Sequence, residues 1–283
     1  MSRILETLRS PEPFLAAELR PPRAELASAA GMDAWIDTYH AVRSLTLNGT
    51  FVFLTDSAVG VPEEDNLRHL LANIGEDAAR DRVVPFLTSK HPIDYCLSYA
   101  ERARQQGFES LVVLGGDKRI GIARSVEHAW ELRQAIRDGG SDLVLGGWAN
   151  PYRNIERQID YLADPCFTGE YYLTQIVSHH DIDPVARFIE RADQRGVELP
   201  GVFGVFYYRS ANPRTLALLS DFIPVPGEAL QREFSGGASA EDVCACTIRA
   251  VAALGVRRFY ISNLPLVGTA RVLARIRERA ALA

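Results

Sequence analysis

The feature that most constrains how this chain can fold is a regular alternation of short β-type runs with longer stretches of helical periodicity. The β-type runs are rich in β-branched and aromatic residues, and most end in glycine or polar residues. Between them, apolar residues recur at the spacing of an amphipathic helix. Strands are predicted within 14–22 and at 49–55, 83–88, 110–115, 142–147, 171–175, 201–206 and 258–262. Helices are predicted at 33–47, 93–106, 125–137, 155–162, 183–195, 239–254 and 267–279, with a broken helical region around Pro224 and Pro226.

Alternating strands and helices require a parallel sheet with helical crossovers. Eight such units in 283 residues match a closed (β/α)8 barrel, which needs about 250 residues. An open doubly wound sheet is the competing fold, and it usually carries a G-x-G-x-x-G turn after its first strand. The first turn here is Arg20-Pro21-Pro22 instead. We therefore predict an α/β protein with a single (β/α)8 (TIM) barrel domain over residues 1–283.

The composition, 47% hydrophobic and 24% charged with a formal net charge of −5, is that of a globular protein. No apolar run approaches the ~20 residues that cross a bilayer, and the N-terminus lacks the apolar centre of a secretion signal. The net negative charge gives no indication of a basic surface that could bind nucleic acid. The four cysteines are expected to be ordinary core or near-surface residues. We expect a cytoplasmic protein without membrane or nucleic-acid partners. The sequence leaves open whether it forms a homo-oligomer.

Glu18 is the strongest candidate for a catalytic group. It lies near the end of the first predicted strand, where four apolar residues precede it and a double proline follows shortly afterwards. Burial there would disfavour the charged carboxylate and raise its pKa, which suits a general acid near neutral pH. The alternative is a structural ion pair with a nearby cation such as Arg20 at the rim of the barrel.

Reactive groups of such barrels lie at the carboxyl ends of the strands. In this chain those positions supply amides, hydroxyls, carboxylates and aromatic rings, a set that suits a flat heteroaromatic ligand. Asp117 and Gln175 would meet the polar edge of its ring, because a carboxylate that accepts two ring N–H groups makes charge-assisted bonds. The alternatives are a turn-capping role for Asp117 and an internally satisfied amide for Gln175.

Five residues could converge near the strand ends and form a metal site. Imidazole and carboxylate groups together suit zinc or iron. However, no pair has the i, i+4 spacing of helical ligands, and the adjacent histidines are expected to point in different directions. The residues are His91, Asp117, His179, His180 and Asp181. We therefore predict no metal.

Taken together, five short motifs resemble the 5,10-methylenetetrahydrofolate reductases in order and spacing, over residues 14 to about 270. Each motif is weak alone, and the ordered set is more specific. The motifs are Glu18 followed by Pro21-Pro22, Pro85-Phe-Leu-Thr88, Leu114-Gly-Gly-Asp117, Leu173-Thr-Gln175 and Pro200-Gly-Val202. The resemblance implies a (β/α)8 barrel that reduces 5,10-methylenetetrahydrofolate to 5-methyltetrahydrofolate.

The resemblance also implies roles for individual residues. Glu18 matches the acid that protonates the folate so that its five-membered ring opens, and hydride then adds to the iminium carbon. Asp117 matches the aspartate that holds the pterin, Gln175 lies beside it, and Tyr208 falls where the family places an aromatic ring. Thr88 is assigned to the same substrate. The remaining strand-end residues are assigned to the cofactor: Thr55, Asp56, Trp148, Asn150 and Tyr207.

Several departures from the family pattern concern FAD, which most members bind. Phe86 stands where the family has a histidine, and Gly115 replaces the arginine of an Arg-Gly-Asp turn. His128-Ala-Trp-Glu131 replaces a Tyr-Ala-Ser-Asp segment, and the basic pair near Arg157 is not intact. Lost bonds to charged groups, at ~1.5–3 kcal/mol each, would weaken FAD binding. We therefore expect the flavin-independent branch, with hydride from NADH or NADPH, and keep FAD as the alternative.

Two other functional classes remain as rivals. The first is a folate-binding barrel that transfers a methyl group instead of hydride. The second is a metal-dependent lyase or hydrolase built on His91, His179 and His180. Glu63 and Glu64, after the second strand, would tune Glu18 or meet the nicotinamide ribose, unless they belong to a solvated loop.

Overall fold

The structure, a computed structural model, describes residues 2–22, 28–56, 79–118 and 120–282, without the side chains of residues 28–30. Its sheet is a closed barrel of eight parallel strands in sequential order, so the predicted (β/α)8 fold is confirmed. The strands are β1 Phe14–Leu19, β2 Val52–Leu54, β3 Val83–Thr88, β4 Ser110–Leu114, β5 Val144–Ala149, β6 Tyr171–Ile176, β7 Gly201–Phe206 and β8 Arg258–Ser262.

Helices surround this sheet in the described part of the chain. They are α1 Arg3–Arg9, α2 Ser28–Leu47, α3 Ile93–Gln105, α4 Ala129–Asp138, α5 Ile155–Ala163, α6 Asp183–Gln194, α7 Pro213–Leu219, α8 Gly227–Ser235, α9 Ala240–Ala252 and α10 Thr269–Arg279. Among the described residues, no helix combines the length and the apolar character that crossing a membrane requires.

Several predicted boundaries were wrong: the helix predicted at 33–47 begins at Ser28, and the strand predicted at 49–55 covers only Val52–Leu54. The predicted helix at 125–137 starts at Ala129, because the backbone N–H of Ser125 donates to the carbonyl of Ser89 at 2.6 Å and holds this segment against the end of β3. The predicted strand at 142–147 runs from Val144 to Ala149. Trp148 is therefore part of β5, with a side-chain direction set by the pleat of the strand.

Alternate residues of each strand pack into two separate apolar clusters. One lies inside the barrel and includes Phe14, Ala16 and Tyr260, whereas the other lies between the sheet and the helices and includes Leu15 and Ala17. A strand of a closed parallel barrel is covered on both faces, so nearly every residue of these runs is apolar. We call the first the interior cluster and the second the shell cluster.

Glycines make room for large rings inside the barrel. A Cβ atom on Gly146 would lie 2.6 Å from the Tyr171 ring, and one on Gly204 would lie 2.4 Å from the Tyr260 ring. Both tyrosines are fully buried, and Tyr260 donates its hydroxyl to the Thr174 carbonyl at 2.7 Å. The middle of the barrel is therefore filled by side chains.

Helix α1 covers the amino end of the barrel. Ile4, Leu5 and Leu8 are buried in the interior cluster, and the backbone N–H of Arg3 donates to Glu109 at 2.7 Å, just before β4. The sequence suggested only a charged amphipathic start for this segment. Because α1 closes this end, access to the interior is left to the carboxyl ends of the strands.

The packing of Tyr260 against Gly204 gives a direct test. Gly204→Ala should lower the free energy of unfolding by roughly 1–3 kcal/mol, because the added methyl group overpacks a ring that cannot move without breaking its hydrogen bond. Gly227→Ala is the matched control, because no atom lies within 4 Å of its added Cβ. Urea denaturation measures both, and equal stability of the two variants would contradict this account of the core.

Candidate functional site

Glu18 faces the inside of the barrel at the carboxyl end of β1. It has the same strand parity as Phe14 and Ala16, which belong to the interior cluster. The hydroxyl of Ser262, at the end of β8, donates to Glu18 Oε1 at 2.5 Å. Within the described residues Glu18 forms no ion pair, so the alternative pairing with Arg20 is not observed.

Burial controls the electrostatics of this carboxyl group. Desolvation raises the pKa of Glu18 from 4.5 to about 7, and the hydrogen bond from Ser262 opposes this shift only in part. At neutral pH the group is therefore divided between its acid and its carboxylate. A carboxyl group poised in this way can donate a proton and be reprotonated from water in each cycle.

Aromatic side chains come from the ends of β5 and β7, on other parts of the ring of strands than Glu18. In the closed strand order, β5 lies across the barrel from β1, so the half-buried Trp148, packed against the interior cluster, comes from the facing wall. Phe206 and Tyr208, from the end of β7, pack on each other with ring centroids 4.8 Å apart. These rings form apolar walls around the end of the barrel that carries the acid.

Tyr208 has an unusual hydroxyl group. The residue is 5% exposed, and its hydroxyl is buried without a hydrogen-bond partner among the described residues. Burial also raises the pKa of this phenol, which therefore stays protonated. A buried hydroxyl without a partner is costly, so this group is available to a ligand.

Thr88 and Asp56 form one hydrogen-bonded unit between β2 and β3. The backbone N–H and the hydroxyl of Thr88 both donate to Asp56 Oδ2, at 2.7 and 2.9 Å. His91 Nε2 lies 3.0 and 2.9 Å from the two oxygens of the same carboxylate. The carboxylate of Asp56 thus ties together the ends of two strands, an arrangement that the sequence did not indicate.

Asp117 and Gln175 both make the local bonds that were considered as alternatives. Asp117 Oδ1 accepts from the backbone N–H of Ile120 at 3.0 Å, and Gln175 Oε1 accepts from that of Ile176 at 2.9 Å. Each side chain remains half-buried. These bonds hold one oxygen of each side chain in a defined place, and the pterin-binding role stays a prediction.

The loop that carries Asp117 is fastened by a buried lysine. Lys90, 3% exposed, donates its ammonium protons to the carbonyls of Ile120 and Ile122 at 2.8 and 2.5 Å. A charge buried at this depth needs such acceptors. Lys90 therefore fixes the loop after β4 against the end of β3.

A cation from elsewhere in the chain lies beside Gly115, where the family pattern has an arginine. The guanidinium of Arg124 lies over Gly115, with its central carbon 2.7 Å from where a Cβ would be, and it donates to the Gly116 carbonyl. A cation therefore lies beside this turn, supplied from nine positions later in the chain, and the expected loss of FAD contacts stays a prediction. A side chain at position 115 would collide with it.

Three of the predicted cofactor residues lie apart from the interior cluster. Tyr207 is 8% exposed and packs in the shell cluster, between sheet and helices. Asn150 accepts from the N–H of Tyr152 at 3.0 Å and so caps a turn, while the half-buried Thr55 donates its backbone N–H to the Leu19 carbonyl at 3.1 Å. Glu63 and Glu64 lie outside the described residues.

The two adjacent histidines do not point in different directions, contrary to expectation. The rings of His179 and His180 lie 3.8 Å apart between centroids, in a 3-10 turn after β6. Both direct Nε2 at Glu233 on helix α8, at 2.9 and 3.1 Å. The tight turn brings the rings side by side.

Sequence reasoning missed Ser262, Arg124 and Glu233 as members of these groups. Ser262 could have been found, because it ends the strand that neighbours β1 in a closed barrel. Arg124 and Glu233 lie within long connections after β4 and β7, and no local pattern marks where their side chains reach.

Comparisons with known proteins support the fold. No protein-family model matches the chain, and no curated protein is similar in sequence. A solved structure of an uncharacterized Clostridium thermocellum protein that binds two copies of 5-methyl-5,6,7,8-tetrahydrofolic acid is similar over 100% of both chains, with a TM-score of 0.70 and 14% identity. Dihydrodipicolinate synthase from Agrobacterium tumefaciens is similar over 98% of this chain and 78% of that one, with a TM-score of 0.57 and 15% identity.

An F420-dependent secondary alcohol dehydrogenase in complex with an F420-acetone adduct is also similar, with a TM-score of 0.54 and 11% identity over 96% of this chain and 99% of that one. At such low identities the likeness concerns the barrel alone. Barrels of this shape carry many unrelated activities, so function must be argued from the site.

The raised pKa of Glu18 predicts an unusual pH dependence of stability. Between about pH 4.5 and 7 the folded state keeps a proton that the unfolded state has lost, so this group makes the wild type less stable as pH rises. Glu18→Gln removes this pH-dependent loss of stability. Relative to the wild type, the variant should gain on the order of 3 kcal/mol between pH 4.5 and pH 8, measured by urea denaturation. Parallel curves for the two proteins would contradict the buried acid.

The partnerless hydroxyl of Tyr208 gives a second test in the ligand-free protein. Tyr208→Phe should raise the free energy of unfolding by about 1 kcal/mol, because a buried unsatisfied group is removed. Tyr260→Phe should lower it by about 1 kcal/mol, because it removes a hydroxyl that donates to Thr174. Thermal denaturation measures the stability of both variants relative to the wild type. A loss of stability in Tyr208→Phe would show that the Tyr208 hydroxyl is hydrogen-bonded in the wild type.

Proposed function

We propose that this chain is a cytoplasmic methylenetetrahydrofolate reductase that acts as one barrel domain and takes hydride from NADH or NADPH without a flavin. The observation that carries the proposal is Glu18, a half-buried acid inside the barrel with a pKa of about 7 and a hydroxyl donor beside it. The reaction requires such an acid, because the five-membered ring of the substrate opens only when its departing nitrogen is protonated.

The proton transfer can be written on this chain's own atoms. The protonated carboxyl of Glu18 gives its proton to the ring nitrogen whose bond to the methylene carbon breaks. The methylene carbon is left as an iminium ion on the other nitrogen, and the Glu18 carboxylate keeps its bond from Ser262. Hydride addition to that carbon then completes the methyl group, and water returns the proton to Glu18.

The pterin is held by its edge and by its faces. In this proposal Asp117 accepts from its ring N–H groups and Gln175 contacts the neighbouring edge, while Thr88 and Tyr208 line the same space. Trp148 and Tyr208 supply flat apolar surfaces, and the hydroxyl of Tyr208 would gain a partner. Holding the ring in one orientation places its nitrogen near the acid, which is worth several orders of magnitude in rate.

In this proposal NADH or NADPH binds beside the pterin at the carboxyl end of the barrel, near Trp148, Asp56 and the cation Arg124. Thr55, Asn150 and Tyr207 were also assigned to the cofactor, but they lie apart from the interior cluster and carry no part of the proposal. NADH or NADPH supplies hydride. Because Arg124 restores one charge of the turn, FAD remains the alternative cofactor, and the visible spectrum of the purified protein distinguishes the two.

The Clostridium thermocellum structure adds chemical support. That protein binds 5-methyl-5,6,7,8-tetrahydrofolic acid, the product of the proposed reaction, in a barrel that covers the whole length of this chain. Such binding suits a reductase and equally a barrel that transfers the methyl group. Methyl transfer is therefore the second candidate, and hydride consumption separates the two.

The proposed activity is tested by oxidation of NADH or NADPH in the presence of methylenetetrahydrofolate. The wild type should consume cofactor only when the folate is added. Glu18→Gln should reduce kcat by about 10²–10⁴-fold, because the variant keeps the shape of the acid and cannot donate its proton. The control is Glu12→Gln, an exposed carboxylate just before the start of the same strand, which should leave kcat unchanged.

Each other outcome has a defined meaning. Substantial turnover by Glu18→Gln would remove Glu18 from the acid role. Bound folate without any cofactor oxidation would replace the reductase with a methyl-transferring barrel. Flavin absorption bands in the purified wild type would overturn the flavin-independent form of the proposal.

A further inference from the structure

Three potential metal ligands meet at the carboxyl side of β6, away from the acid on β1. His179 Nε2 lies 2.9 Å from Glu233 Oε1, and His180 Nε2 lies 3.1 Å from Glu233 Oε2. The three donor groups lie within 4.8 Å of one another. We propose that His179, His180 and Glu233 bind one divalent transition metal ion of the zinc class.

The donor set matches this chemistry. Two imidazole nitrogens and one carboxylate oxygen form a common set for zinc and related ions, with bonds of about 2.0–2.2 Å. Because each donor already faces the others, a bound ion would require only a small widening of the group. The side chains of His179, His180 and Glu233 are 17%, 16% and 26% exposed, which leaves a path for the ion and room for water as a further ligand.

Thr247 on helix α9 orients one of the histidines. Its hydroxyl lies 2.8 Å from His179 Nδ1 and also donates to the Val243 carbonyl at 3.2 Å. Since the hydroxyl proton has an acceptor in its own helix, its oxygen can accept the Nδ1 proton of His179. In the metal-bound protein this arrangement would leave the lone pair of the neutral imidazole on Nε2, the atom that a metal binds.

Without an ion, Nε2–H of His179 and of His180 can donate to the Glu233 carboxylate, and a bound metal ion would take the place of these protons. The nearby guanidinium of Arg249 is directed to the Arg279 carbonyl and to Cys246.

The site would join segments that are distant in sequence. His179 and His180 follow β6, whereas Glu233 lies on α8 in the connection between β7 and α9. The same connection carries Phe222, whose carbonyl lies 3.5 Å from the side-chain nitrogen of Gln175. A bound ion would therefore hold this connection over the end of β6. This inference does not depend on the reductase proposal.

The test uses the full chain without an affinity tag, stripped with a chelator and titrated with Zn²⁺ by calorimetry. One ion per chain should bind, and a saturating excess should raise the melting temperature by on the order of 5 °C. His180→Ala and Glu233→Gln should each weaken binding by more than 100-fold. Thr247→Val should weaken it by roughly 10–100-fold, as expected for loss of an orienting partner.

Two controls match the chemistry of the ligands. Glu228→Gln changes a carboxylate on the same helix with a side chain that is 93% exposed, and His128→Ala removes a histidine that is 44% exposed. Both should bind Zn²⁺ as the wild type does. Circular dichroism confirms that each variant is folded, and the visible absorption of the Co²⁺-loaded wild type reports nitrogen and oxygen coordination even if a variant fails to fold.

The proposal is overturned if the stripped wild type does not bind Zn²⁺ at micromolar concentration. It is also overturned if Glu233→Gln binds as tightly as Glu228→Gln, since the ion would then occupy another place. A Co²⁺ spectrum typical of the hexaaqua ion would likewise show that the three side chains form only a hydrogen-bonded network.

Discussion

The removal of the Glu18 carboxyl group from water depends on the closure of the whole barrel. The strands can turn a side chain inward only because eight of them complete a ring, and aromatic residues fill the middle of that ring above helix α1. A charge in such surroundings is disfavoured, so the acid form persists to near neutral pH.

The carboxyl end of the barrel is also shaped by connections that reach from one strand end to another. Lys90 ties the loop after β4 to β3, and Arg124 returns from that loop to cover Gly115. The connection after β7 approaches Gln175 through Phe222 and also supplies Glu233 to the paired histidines. In this protein the strands set the direction of side chains such as Glu18, and the longer connections supply the charged side chains of Arg124 and Glu233.

Much of the architecture follows from local pattern. Residues 83–88, 201–206 and 258–262 were predicted as strands with their observed limits, because continuous runs of β-forming residues bounded by turns leave little choice. The start of α4 and the limits of β5 were misplaced, since a tertiary hydrogen bond from Ser125 delays the helix and Trp148 extends the strand. The importance of Glu18 was visible because an acid follows an apolar run.

The sequence by itself determined the alternation of strands and helices, the barrel class and the set of polar residues at the strand ends. These are properties of neighbouring residues, and backbone periodicity transmits them directly. Only the tertiary structure decided that Ser262 bonds Glu18, that Arg124 lies over Gly115 and that Glu233 joins two histidines. Those contacts link residues between 9 and 244 positions apart, and their geometry depends on how closed strands and long loops pack, which no local pattern encodes.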